Sequence, residues 1–245
     1  MHTIIEWKDK KFYADLSKPL DISIPMQSGE NNPNAYHIQP PTFEPILSVA
    51  KGGSVNCENL FINAHANGTH TECVGHLSKK KITINQSLKQ FFSIAQLISV
   101  EAENNIITKK DVSKLFDESV ESLVIRSLPN SGDKLTKKYS GNNPTYLAAD
   151  LCLWLREKNI KHLLIDLPSV DAEEDGGKLA AHRAFWNYPE QPRLDATITE
   201  MIFVDDKIED GMYLLNIQIA SIESDASPSK PVLYKLKMDP NSYRD

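Results

Sequence analysis

A helix pattern followed directly by a strand pattern constrains the fold of this chain most. Leu147, Leu151 and Leu155 recur at four-residue spacing and predict a helix over 144–158, with a proline near its start. The apolar run at 162–166 then predicts a central, buried strand. A helix that leads at once into a buried strand is typical of α/β folds.

The remaining patterns add more strand than helix. Alternating or apolar runs bounded by Gly and Pro predict strands, whereas the Asn- and Pro-rich segment 29–45 predicts a long loop. We therefore expect a single α/β domain over 1–245, with a mixed, β-rich core and a few short helices. The predicted strands lie within 12–25, 46–64, 93–101, 122–127, 200–205, 212–220 and 231–236, and the short helices at 108–116 and 178–186.

The bulk composition excludes two classes of partner. The formal net charge of −6 lacks the basic balance of a nucleic-acid-binding protein. No apolar run approaches the roughly 18 residues that a membrane-spanning helix needs. The three cysteines are an odd number without close pairing, which argues against a disulfide framework. We expect a cytoplasmic protein that acts on a small-molecule substrate, not on nucleic acid or a membrane.

The chemistry-bearing residues concentrate in one short segment. His65, His70, Glu72 and His76 fall within 65–76, although the whole chain has only seven histidines. Side chains two residues apart share one face of a strand, so His70 and Glu72 can reach one ion, and His76 keeps that parity if the chain stays extended. Imidazole and carboxylate together suit zinc, manganese or iron(II).

This segment resembles the hallmark H-x-G-T-H-x-D-x-P-x-H of the cyclase family of metal-dependent hydrolases, which includes bacterial kynurenine formamidase and isatin hydrolase. The match runs from Gly68 to Glu72 and includes His76. Three further stretches resemble family motifs in the right order: 15–20 (D-L-S-K-P-L), 165–171 (I-D-L-P-S-V-D) and 225–228 (D-A-S-P). The resemblance spans about residues 13–235.

The resemblance implies a swivelling β/β/α-like fold and a divalent metal centre, with Zn²⁺ expected ahead of Mn²⁺. His65, His70 and Glu72 would hold one ion, and His182 and Glu200 would complete that site or hold a second ion bridged by Glu72. His76 would be the general base. The implied reaction is hydrolysis of a small cyclic or N-acyl amide, or a lactone, by a metal-activated water, as in an arylformamidase, within a homodimer or homotetramer.

Several positions depart from the family frame. Ala66 stands where the family has its first histidine, so His65 can ligate only if a bulge or loop around 66–68 absorbs one residue. Glu72 replaces the family aspartate, and Val74 replaces the proline. The inserted stretch 187–194 lengthens the segment between His182 and Glu200.

Other readings stay open from the sequence. The chain could be a metal-stabilised binding protein without turnover, or a cysteine hydrolase using Cys73, although a packed thiol facing away from the histidines is preferred. Asp166 and Asp171 are expected to hold loops or orient histidines. Two further residues, His37 and Trp186, either line the pocket or are ordinary surface and core residues.

Overall fold

The computed structural model describes residues 1–239, and most of its strands join one sheet of ten. In chain order these are β1 (His2–Trp7), β2 (Lys10–Asp15), β3 (Leu20–Asp21), β6 (His70–Cys73), β7 (Phe92–Glu101), β9 (Ser122–Leu128), β11 (His162–Ile165), β12 (Thr197–Glu200), β13 (Gly211–Ile219) and β14 (Ala226–Met238).

The remaining elements are short. Two small sheets pair β4 (Thr42–Leu47) with β5 (Cys57–Phe61), and β8 (Ile106–Ile107) with β10 (Tyr146–Leu147). The α-helices are α1 (Ile84–Ser87), α2 (Lys109–Ser113), α3 (Ala149–Glu157) and α4 (Ala180–Trp186). Three 3₁₀ turns lie at Val49–Lys51, Val74–His76 and Gly132–Leu135.

The large sheet closes on itself through its longest strand. Its order is β1-β2-β14-β13-β7-β9-β11-β12-β6, and the start of β14 also pairs with β6, where Ala226 lies opposite Glu72. Neighbouring pairs among β7, β9, β11 and β12 are parallel, and the others are antiparallel. The expected single α/β domain with a mixed, β-rich core and few short helices is confirmed, in a barrel-like form.

Strand alternation divides the core into two clusters. In β9, Leu123 and Ile125 pack in the cluster that contains Leu155 of α3 and Phe185 of α4. Val124, between them, packs in the other cluster, inside the barrel. Because both faces are covered, a continuous apolar run is what the sequence shows here.

The predicted helix over 144–158 begins later than expected. Residues Tyr146 and Leu147 pair with β8 instead, and the Leu147 N–H donates to the Val170 carbonyl, so helix α3 starts only at Ala149. Leu151 and Leu155 keep the predicted buried face. No helix in the described residues is long and apolar enough to cross a membrane.

The strand expected at 200–205 and the loop expected at 29–45 were partly wrong. The strand lies at Thr197–Glu200, where it pairs with β11 on one side and β6 on the other. The long loop ends at Thr42, because Thr42–Leu47 forms a hairpin with β5. The predictions for 93–101, 122–127, 162–166 and 212–220 are confirmed to within a residue or two at each end.

Candidate metal centre

Two neighbouring strands carry the first three site residues. His70 lies opposite Glu200 in the antiparallel pair of β6 and β12, and Glu72 is two residues farther along the same strand. Thr71 and Cys73 point the other way, and the Thr71 hydroxyl lies 2.8 Å from the Thr199 hydroxyl. The parity argued from the sequence therefore holds for His70 and Glu72.

Helix α4 brings His182 to the same carboxylate. Its Nε2 lies 3.0 Å from Glu72 Oε1 and 3.7 Å from Glu200 Oε1. Its Nδ1 lies 2.6 Å from Asp171 Oδ2, and Asp171 also accepts from the backbone N–H groups of Ala181 and His182. The expectation that Asp171 orients a histidine is confirmed.

A tight bend places His65 beside the opposite oxygen of Glu72. Turns occupy 64–66, and the side chains of Asn63 and Asn67 accept from backbone N–H groups across the bend. Gly68 has a φ of +147°, a conformation that L side chains rarely adopt. The chain thus bends as a shifted ligand requires, and His65 Nδ1 lies 3.2 Å from Glu72 Oε2.

The backbone that leads to His76 differs from the extended chain expected from the sequence. After β6 the chain forms the 3₁₀ turn Val74–His76 and does not stay extended. A Cβ at Gly75 would lie 2.0 Å from the Ile82 carbonyl oxygen, so this close turn requires glycine. His76 Nδ1 ends 3.7 Å from Glu72 Oε2 and 3.1 Å from Asp225 Oδ2.

The ligand-type atoms form two groups that share Glu72. One group is His65, Glu72 and His76, and the other is Glu72, His182 and Glu200, with ligand atoms within 4.8 Å of one another in each. His70 stands at the edge, with Nε2 3.3 Å from Glu200 Oε2. That His65 and His70 bind the same ion stays a prediction. His65 faces Glu72, His70 faces Glu200, and the centroids of the two rings lie 5.3 Å apart.

The donor set fits a divalent transition metal. Within residues 1–239, His70 Nε2 and Glu72 Oε2 are buried without a hydrogen-bond partner, and an unsatisfied buried polar atom typically costs about 1–3 kcal/mol. His70 Nδ1 lies 3.0 Å from the Gly68 carbonyl oxygen, which can only accept, so Nδ1 donates there and Nε2 is the nitrogen left to bind a metal. Imidazole and carboxylate ligands are those of zinc and manganese sites.

In the metal-free protein, protons on the histidines supply the positive charge that a metal ion would bring. Burial lowers the pKa of His182, but Glu72 and Asp171 more than offset this and raise it to about 10. Burial likewise opposes the rise for His65, whose pKa reaches about 10 beside Asp225 and Glu72. Burial raises the pKa of Glu72, yet the histidines hold it well below its usual range. Metal binding must displace these protons.

The matches to known proteins decide the family. The family described as "Putative cyclase" matches residues 14–172, well over half of the chain. The chain belongs to the cyclase family. Kynurenine formamidase from Bacillus thuringiensis (strain Al Hakam) is 29% identical over 223 residues, which cover 90% of this chain and 96% of the relative. The Bacillus anthracis kynurenine formamidase is 28% identical over the same length and coverage.

Solved structures agree on the fold. A predicted metal-dependent hydrolase from Bacillus stearothermophilus superposes with a TM-score of 0.68 at 18% identity, over 89% of this chain and 98% of the other. An isatin hydrolase bound to the product analogue thioisatinate gives 0.66 at 15% identity, over 90% and 93%. At such identities the likeness speaks for the fold alone.

A cavity of about 340 Å³ opens beside the site. His65, Glu72, His76, His182 and Glu200 line it. The remaining lining residues include Tyr36, Ile38, Asn63, Ser169, Asp171 and Leu179. The volume is of the size that small-molecule sites have.

Two expected candidates do not line this cavity. His37 is exposed, and its neighbours Tyr36 and Ile38 face the cavity instead. Trp186 is fully buried, donates its indole N–H to the Ala196 carbonyl, and stacks at 5.4 Å from the His182 ring. Trp186 is therefore a core residue that packs against His182.

The two remaining structural expectations are confirmed. Cys73 is buried in the barrel interior, its Sγ lies 3.7 Å from the Ile82 carbonyl, and burial raises the pKa of its thiol. A buried thiol with a raised pKa is a poor nucleophile. Asp166 holds a loop, because it accepts from Lys134 and from the Ser127 backbone N–H.

Sequence reasoning missed one residue of the site. Asp225 Oδ2 lies 2.9 Å from His65 Nε2 and 3.1 Å from His76 Nδ1. Its D-x-S-P segment served only as a family motif, and its distance along the chain hid the contact. The pairing of Ala226 with Glu72 places Asp225 beside the metal-binding segment of β6. Only a prediction of the register between β14 and β6 could have found this contact.

Proposed function

We propose that this member of the cyclase family is a metal-dependent hydrolase of a small cyclic or N-acyl amide, or a lactone, with an arylformamidase-like activity. The observation that carries the proposal is Glu72, whose two oxygens each face a separate group of ligand-type side chains at the wall of a cavity. Zn²⁺ is the expected metal and Mn²⁺ the alternative. Two ions fit this arrangement better than one.

The chain's own residues would divide the work. Glu72 would bridge, with His182 and Glu200 on one side and His65 and His70 on the other. A divalent ion bound there would polarise the substrate carbonyl and lower the pKa of a water molecule. His76 reaches the cavity with a partly exposed ring, so it is the side chain placed to move a proton to or from the substrate.

The substrate class rests on the relatives and on the size of the cavity. The relatives are named kynurenine formamidase and isatin hydrolase. Their names favour hydrolysis of a C–N bond in a small amide. The cavity of about 340 Å³ accommodates a molecule of that size.

Metal analysis followed by a substrate panel tests the proposal. Protein purified without chelators should carry near-stoichiometric metal and hydrolyse at least one formanilide, cyclic amide or lactone, with activity lost to a chelator and restored by Zn²⁺ or Mn²⁺. Metal binding without turnover of any panel member would favour a metal-stabilised binding protein. Activity that survives the chelator but is lost to a thiol reagent would point to a cysteine hydrolase.

We propose a homodimer or homotetramer, supported by the hairpin of β4 and β5. A two-stranded hairpin alone is marginally stable in water, yet Ile46, Leu60 and Phe61 are all more than half exposed here. Light scattering should give a multiple of the 27.5 kDa chain mass. Leu60→Asp should shift this toward the monomer, whereas Ile4→Asp on strand β1 should not; a monomeric wild type would contradict the assembly.

We also propose a cytoplasmic location. The support is that Cys57, Cys73 and Cys152 are free thiols, as a reducing compartment allows.

A further inference from the structure

Two histidines on the open side of Glu72 share one partner. His65 Nε2 and His76 Nδ1 lie 2.9 and 3.1 Å from the same oxygen, Oδ2 of Asp225. We infer that Asp225 is a positioning residue that gives the two rings opposite roles: His65 as a metal ligand through Nδ1, and His76 as a proton acceptor through Nε2. The inference rests on the proposed metal-dependent function.

The charge state of Asp225 limits how the two rings can bond to it. An ionised Asp225 has only acceptor sites, whereas a neutral imidazole carries one N–H and one lone pair. With a divalent ion bound at Glu72, the additional protons of the metal-free protein are displaced, and each ring keeps its one proton on the nitrogen that faces Asp225. For His65 that is Nε2, so the lone pair lies on Nδ1. For His76 that is Nδ1, so the lone pair lies on Nε2.

The lone pair of His65 then faces the bridging carboxylate. His65 Nδ1 lies 3.2 Å from Glu72 Oε2, a buried oxygen without a hydrogen-bond partner among residues 1–239. Two acceptors facing each other repel unless a cation lies between them. In the metal-free protein the second proton of His65 fills that role, and in the loaded protein a metal ion would. The displaced histidine at 65 is thereby oriented as a ligand, which compensates for Ala66 in the family frame.

The other side of Glu72 shows the same arrangement in mirror form. His182 lies between Asp171 at Nδ1 and Glu72 at Nε2, with distances of 2.6 and 3.0 Å. Metal-binding histidines commonly donate their second ring N–H to a carboxylate, which fixes the tautomer and strengthens the ligand. Asp225 is to His65 what Asp171 is to His182.

For His76, the same contact argues against metal binding through the nearer nitrogen. Its Nδ1 is the atom that approaches Glu72 Oε2, at 3.7 Å, but this atom lies closer to Asp225 and carries the proton there. Nε2 stays free to accept a proton. Asp225 thereby separates the ligand from the proton carrier, although the two rings lie only 4.5 Å apart.

The fold fixes Asp225 firmly enough for this task. Its backbone carbonyl accepts from the Cys73 N–H at 3.0 Å, which ties it to the strand that carries Glu72. The Ser224 hydroxyl lies 3.1 Å from Asp225 Oδ1, leaving Oδ2 for the two rings. The distance from Asp225 to Glu72 is thus set by the register of β14 and β6.

The test compares Asp225→Asn with wild type in zinc affinity and in ring tautomer. Competition with a chelator of known affinity should show zinc binding weakened by about 10–100-fold, the usual effect of losing such an outer partner. Nitrogen-15 correlation spectra of histidine-labelled, zinc-loaded wild type should show His65 bound through Nδ1 and His76 protonated at Nδ1. In Asp225→Asn the His76 signal should become a mixture of tautomers.

Two further variants keep the result interpretable. Glu223, two residues from Asp225 on the same loop, accepts a hydrogen bond from Thr83 and contacts neither ring. The control variant Glu223→Gln should therefore leave zinc affinity within about twofold of wild type. In a His65→Ala background, Asp225→Asn should weaken zinc binding no further, because its effect passes through that ring. Additive losses would mean a general structural role and would overturn the inference.

The outcomes separate this inference from the proposed function. If wild type binds zinc and Asp225→Asn keeps both affinity and tautomers, the inference is wrong while the metal-dependent function stands. If wild type takes up neither zinc nor manganese, both fall together.

Discussion

The two sides of Glu72 have the same chemistry but different access to solvent. His182, Glu200 and Asp171 on one side have side chains only 3%, 4% and 7% exposed. His65, His76 and Asp225 on the other side are 25%, 29% and 32% exposed. Under the proposed function, the buried side would hold an ion for structure and Lewis acidity, while the open side would meet the substrate and exchange protons.

The largest expected effect comes from the residue common to both sides. Glu72→Gln should weaken metal binding at both positions and lower kcat/KM by at least about 100-fold, the upper end of what a single outer partner costs. Glu200→Gln should weaken only the buried position. Metal content after dialysis against a weak chelator measures this; equal metal loss in the two variants would break the distinction between the sides.

The next effect separates proton transfer from ligation on the open side. His76→Ala should retain bound metal but lose about 10²–10⁴-fold in kcat, the usual contribution of a general acid or base. Metal content and steady-state kinetics on the same preparation are sufficient. An empty metal site in this variant would make His76 a ligand and would reverse the roles assigned to the two exposed histidines.

Stability of the metal-free protein should reveal the difference in burial. His182→Ala leaves the buried carboxylates of Glu72 and Asp171 without their partner, and breaking a buried pair costs about 3–5 kcal/mol. The more exposed His65 should cost about 1 kcal/mol or less when changed to Ala. Urea unfolding in a chelator gives both values. Similar losses in the two variants would show that burial does not distinguish the two sides.

A fourth test uses a buried histidine whose ring nitrogen contacts a hydroxyl group. Burial lowers the pKa of His162 to about 4, and its Nδ1 contacts the Thr197 hydroxyl at 2.9 Å. The unfolded chain, with a histidine pKa near about 6.5, binds the proton first as the pH falls. Stability contributed by the neutral ring is therefore lost between about pH 6.5 and 4, by up to about 3 kcal/mol.

His162→Gln should lack this pH dependence, so the difference in unfolding free energy between wild type and variant should change between about pH 6.5 and 4. Urea unfolding at several pH values with chelator present measures it. His182 shows the opposite behaviour, because carboxylates raise its pKa to about 10. A difference that stays constant from about pH 7 to 4 would show that the buried His162 ring does not contribute stability as a neutral group.

The sequence predicted those parts of the site that depend on local geometry. His70 and Glu72 needed only strand parity, and the resemblance supplied His182 and Glu200, which α4 and β12 bring to Glu72. A bulge or loop around 66–68 was predicted because Ala66 replaces the family histidine, and the chain turns at 64–66 and bends at 67 and 68. Asp225 was not predicted as a site residue, because its position depends on pairing between strands more than 150 residues apart, which no local pattern encodes.

Parts of the fold were also not predicted, because they depend on pairing between distant segments. The strand run 122–127 was evident because a continuous apolar stretch is covered on both faces. Tyr146 and Leu147 have the pattern of a helix start, but a distant partner, β8, recruits them into a strand. Tertiary pairing overrides local preference wherever a short segment can satisfy its backbone groups elsewhere.

Anomalous diffraction from crystals of the zinc-loaded protein shows whether Glu72 lies between two ions. The proposed two-ion site predicts two zinc peaks per chain, one on each side of the Glu72 carboxylate, with His182 and Glu200 at the buried ion and His65 Nδ1 at the other, at about 2.0–2.2 Å. A single peak that does not touch Glu72, or no peak in this cavity after soaking at saturating zinc, would contradict it.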